Sequence, residues 1–117
     1  MNTLSDITIN TSYLNLTDEQ RHDAFDVALF AINTGELYRN TFLGITKNLY
    51  KKYLHNDYDE FQAKRAFEHT IPKIMQAYHK EIDPSVRLNA ATKEIVAQEL
   101  LDHYTGDFKL YPNGGLY

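Results

Sequence analysis

Thr17 to Ile32, TDEQRHDAFDVALFAI, opens on a hydroxyl residue with a glutamine three positions later and then turns apolar at helical spacing. The Thr17 hydroxyl can take a first-turn N–H while Gln20 reaches back to the Thr17 N–H, a capping box that starts a helix. Phe25, Ala28, Leu29 and Ile32 form its apolar stripe, and Val27, Phe30 and Ala31 widen the stripe until the helix is nearly surrounded. It is expected to be the central element of the fold.

Beyond Ile32 the apolar phase slips and resumes at Leu37 and Tyr38, with Asn33-Thr34-Gly35 as a breaker, so a bend or short break is expected. A second helix then carries Tyr38, Phe42, Ile45, Leu49 and Tyr53 and ends near Leu54-His55-Asn56. Asp57, with Glu60 three positions on, opens a third, whose stripe is Phe61, Phe67 and Ile71 with the stems of Lys64 or Arg65. Pro72 removes a bond to the Glu68 carbonyl and crowds it, so this helix kinks or a new one starts near Thr70. Ile71, Ile74, Met75, Tyr78 and Ile82 then share a face as far as Asp83-Pro84. Asn89 caps a last helix with Ile95, Val96, Leu100, Leu101 and Tyr104 as its apolar set. Gly106 suits a left-handed helix end, with Phe108 folding back as its hydrophobic partner.

The fold class is therefore all-α: a compact bundle of four to five helices, packed up and down across short connections. The 117 residues form one domain, with an extended N-terminal segment (1–16), a helical bundle (17–106) and an extended aromatic tail (107–117). Its core is expected to hold Phe25, Leu29, Ile32, Phe42, Ile45, Leu49, Phe67, Ile71, Ile74, Tyr78, Ile95 and Leu100.

Cysteine is absent, which excludes disulfides, thiolate metal sites and a cysteine nucleophile. No window approaches the roughly 18 apolar residues of a membrane span, so a soluble, cytoplasmic protein is expected, with no membrane partner. Sixteen acidic against twelve basic residues, a formal charge of -4, argue against a protein whose main work is gripping nucleic-acid backbone.

Glu19, Asp23 and Asp26 make an acidic row that reads as a solvated helix face near the helix N-terminus. His22, His55, His69, His79 and His103 include no pair at the i, i+4 spacing that presents two imidazoles to a metal. No serine sits on a nucleophile elbow, and Gly114-Gly115 lacks the strand and helix that flank a phosphate loop. No catalytic, cofactor-binding or metal residue is expected, and the protein reads as no enzyme.

What the composition does offer is contact surface. Nine tyrosines and six phenylalanines are many for so short a chain, and tyrosine is enriched where proteins meet. The candidate protein-binding residues are Tyr50, Tyr53, Tyr58, Tyr111 and Tyr117, with Lys51 and Lys52 at a polar rim.

The stretch AFDVALFAINTGELY, residues 24–38, resembles small early proteins of tailed bacteriophages, which are short, cysteine-free, rich in Asn, Lys and Tyr, and mostly helical. The resemblance implies a host-takeover or anti-defence protein that binds and inhibits or modulates a host protein in the host cytoplasm. The DNA-mimicking antirestriction proteins of that group are similar in size but far more acidic, so mimicry is not implied. Two alternatives come from the residues themselves. One is a nucleic-acid-binding regulator using Lys47, Lys51, Lys52, Lys64 and Arg65. The other is a self-associating structural protein whose aromatic residues close a homodimer.

Overall fold

A computed structural model describes residues 16–108, and within them every regular element is a helix. Helix α1, Asp18–Asn33, begins at the expected capping box: the Gln20 N–H donates to the Thr17 hydroxyl at 3.0 Å, and the Thr17 N–H donates to Gln20 Oε1 at 2.9 Å. Thr34 is extended, and the chain re-enters helix at Gly35. The next rod, α2, has three parts: a turn at Gly35–Leu37, a π-helical turn at Tyr38–Phe42, and a regular helix at Leu43–Leu54. The π-turn absorbs one extra residue, so Leu37 and Phe42, five apart, are both buried. The phase slip in the sequence comes before it, at the extended Thr34 that separates α1 from this rod.

The rod closes in a Schellman arrangement. The Asn56 N–H donates to the Tyr53 carbonyl (3.2 Å), the Asp57 N–H to the Lys52 carbonyl (2.8 Å), and Asn56 takes the left-handed conformation, φ 58°. Helix α3, Glu60–Glu68, is capped by Asp59 rather than Asp57, through bonds from the N–H groups of Phe61 and Gln62. Helix α4, Ile71–Glu81, starts afresh after Thr70, with Pro72 in its first turn, where no N–H is needed. Helix α5, Ala90–Thr105, opens on Asn89, whose side chain accepts from the Thr92 N–H at 2.8 Å. Gly106 is right-handed, φ -58°, not left-handed as expected; a Cβ there would lie 2.7 Å from the Asp102 carbonyl oxygen.

The hub is α5, not α1. It packs against every other rod, most extensively α1 and α3, and buries Ala91, Thr92, Ile95, Val96, Ala97, Leu100 and Leu101. Those positions run nearly all round the helix, the pattern of a fully surrounded element. Helix α1 instead turns its small residues inward, Ala24, Val27, Ala28 and Ala31, and leaves Phe25 and Leu29 47% and 57% exposed. Phe25 and Leu29 therefore leave the expected core, and Phe61 leaves the stripe expected of α3; Ile32 and Ile45 are partly buried against the core. Phe42, Leu49, Phe67, Ile71, Ile74, Tyr78, Ile95 and Leu100 are buried as expected. Up-and-down packing does not extend to α3 and α4, which are joined through helix-like angles at His69 and Thr70 and do not pack along one another: α3 lies against α5, and α4 against α1 and α5.

Phe108 is 3% exposed and belongs to the core, although the tail was expected to begin at 107. Leu16, assigned to the N-terminal segment, is buried as well. The rest of the two expected extended segments, 1–15 and 109–117, lies outside the described residues.

Candidate interaction surface

Two aromatic clusters share the interior. In one, the Tyr104 ring lies 5.3 Å from Phe42 and is stacked at 5.8 Å on Phe67 and 6.1 Å on Tyr38. Burial, with Tyr38 adding to it, pushes the Tyr104 phenol up to about 12. In the other, Phe108 is the hub, with ring centroids 5.1 Å from Tyr50, 5.6 Å from Tyr53 and 5.9 Å from Tyr58. This second cluster ties the end of α2, the 55–59 connection and the end of α5 into one corner.

The corner is where the sequence-derived binding residues converge, but not all as surface anchors. Tyr50 is 4% exposed and lies inside the core, so its ring is not open to a partner. Tyr53 and Tyr58 are half-buried, and each keeps an edge in two shallow pockets. One, of about 430 Å³, is lined by Tyr53, Leu54, Asn56 and Tyr58. The other, of about 330 Å³, lies between the same two tyrosines, Glu60, Asp102, Thr105 and Phe108. Burial raises the Tyr58 phenol, opposed by a bond with Thr105 and reinforced by Glu60, Asp102 and Asp59. Lys51 and Lys52 are exposed beside the corner, as a rim requires. Tyr111 and Tyr117 lie outside the described residues.

A larger cleft of about 730 Å³ separates α2 from α3. Ile45, Asn48, Leu49 and Lys52 form one wall, Gln62, Arg65, Ala66 and His69 the other, and Asp57 and Asp59 close one end. Both walls repeat at i, i+3, i+4 and i+7, the face of a helix. That shared spacing was present in the sequence, but nothing in it showed that the two faces oppose each other.

The basic set of the nucleic-acid reading is divided by the fold. Lys52 and Arg65 share the cleft with Asp57 and Asp59, whereas Lys64 turns away to pair with Glu94 of α5 at 2.8 Å. In the acidic row, Asp26 is half-buried rather than solvated: the Tyr78 hydroxyl donates to its Oδ2 at 2.6 Å. Burial first, and then this bond, raises the Tyr78 phenol. The His79 ring does structural work, its Nε2 donating at 2.6 Å to the Val86 carbonyl, which Arg87 also engages. Among the described residues no group of three or more metal-ligating side chains gathers, and no helix is long and apolar enough to cross a membrane.

Comparison with protein-family models, curated proteins and solved structures found no match to this chain.

Proposed function

We propose that this is a non-enzymatic binding module that modulates or inhibits a host protein, of the host-takeover or anti-defence kind implied by the resemblance at residues 24–38. The observation that carries the reading is the aromatic corner. Tyr53 and Tyr58 are held from beneath by Phe108 and line the two surface pockets, so their contact area is presented at little conformational cost. Beside them Leu54 is 43% exposed, and Lys51 supplies a charged rim. A rigid aromatic and aliphatic centre with a polar margin is the usual anatomy of a binding hot spot.

The test is capture from bacterial lysate by the tagged full chain, with and without nuclease, beside a Leu54→Asp variant. A single stoichiometric, nuclease-resistant protein retained by the parent and lost from the variant, at an unchanged melting temperature, is the expected result. Equal capture by both proteins, or only nuclease-sensitive material, would remove the corner from the account.

A further inference from the structure

We propose that the outer face of α1 docks into the α2–α3 cleft of a second copy of this chain, a head-to-tail contact whose cleft adjoins the aromatic corner at Lys52 and the 55–59 connection.

Two observations on α1 lead there. Its large apolar side chains are outside: Phe25 and Leu29, one turn apart, are exposed, and Ile32 follows at the next turn half-buried. Positions i, i+4 and i+7 are the anchors by which an amphipathic helix lies in a groove. The same helix carries Asp18, Glu19, Asp23 and Asp26 against Arg21 alone; Asp18 pairs with Arg21 at 3.4 Å and Asp26 takes the Tyr78 hydroxyl, so its surplus negative charge rests on Glu19 and Asp23.

The cleft is complementary on both counts. Its floor is Ile45, Leu49 and Ala66, and its walls carry Lys52 and Arg65. No ion pair of either cation is present among the described residues; Arg65 lies only over the Phe61 ring, 5.8 Å from its centroid. An acidic, apolar-faced helix thus meets an apolar-floored, cation-walled groove, and the chain carries both surfaces. Because Asp57 and Asp59 close one end of the cleft, like-charge repulsion turns the acidic first turn of the docked α1 toward the His69 end. The two surfaces differ, so each contact leaves one of each unused. Copies therefore add beyond a dimer or close into a ring.

Sedimentation and light scattering of the full chain test this, with Phe25→Gln/Leu29→Gln and Lys52→Glu/Arg65→Glu variants. All four positions are exposed, and unchanged melting temperatures certify the fold; the single variants Leu29→Gln and Arg65→Glu stand in if a double variant melts early. The parent should rise in mass from 13.6 kDa past the dimer as concentration increases. Association should weaken as salt is raised from about 50 to 500 mM. Each double variant alone should stay monomeric, while an equimolar mixture, which restores one α1 face and one cleft, should form a heterodimer and stop. A parent that stays monomeric would overturn the proposal, even if it binds an acidic amphipathic peptide. So would a cleft variant that associates like the parent, or a mixture that stays monomeric.

Discussion

Leu29 and Phe67 are both large, apolar and on helical stripes, yet the fold treats them oppositely. Phe67 is fully buried between Phe42 and Tyr104, so Phe67→Ala removes contacts on two sides and should cost about 3–5 kcal/mol. Leu29 is largely in solvent, and Leu29→Ala should stay within about 0.5 kcal/mol of the parent. Denaturant titration of the two variants measures the contrast directly. The phenols give a second prediction at this scale. Tyr104 moves from its ordinary value of 10.0 up to about 12, and Tyr78 is raised in the same direction. A group whose folded value lies above its unfolded one stabilises the fold fully below the unfolded value and loses that contribution as pH climbs through the folded one. The melting temperature should therefore fall between pH 10 and about 12, and Tyr104→Phe should flatten the fall.

At the scale of one element, α2 shows how a helix accommodates a residue too many. The Leu43 N–H reaches back five positions to the Tyr38 carbonyl, and Leu37 and Phe42 stay on one side. Deleting exposed Asn40 converts the turn to ordinary α-helix, with those two residues i and i+4, so the bundle should survive with its helical circular dichroism intact. Deleting exposed Asn48, in the regular part, rotates everything after it by about 100° and withdraws Leu49 and Tyr50 from the core. That variant should lose cooperative melting. If the two deletions behave alike, the π-turn is not what sets the register of α2.

At the scale of the molecule, Phe108 ties two distant elements together. It closes the cluster of Tyr50, Tyr53 and Tyr58, joining α2 to the end of α5. A chain truncated after Asp107 should melt several degrees lower than one truncated after Phe108, since an aromatic core truncation costs about 3–5 kcal/mol. Equal melting of the two would make Phe108 dispensable.

The local chemistry of the chain was legible without coordinates. Thr17-Gln20 and Asn89 cap where short-range hydrogen bonding requires, the break falls at Thr34, and Pro72 opens a helix, because caps and prolines act within one turn of backbone. The all-α class follows from those signals together with the helical spacing of the apolar residues. Periodicity could not rank two helices that are both apolar almost all round. Whether the large or the small residues of α1 turn inward depends on how closely α5 approaches, which is a property of the packed pair and not of either helix. The same limit hid the candidate surfaces. Nothing local to residues 45–52 or 62–69 says that they face each other, nor that Phe108 lies beneath Tyr53 and Tyr58. Sequence alone thus determined which segments are helical and, except for α3, which is capped by Asp59 and not Asp57, which residue opens each capped helix; tertiary packing alone decided which faces were buried, because burial is settled by the neighbour that arrives.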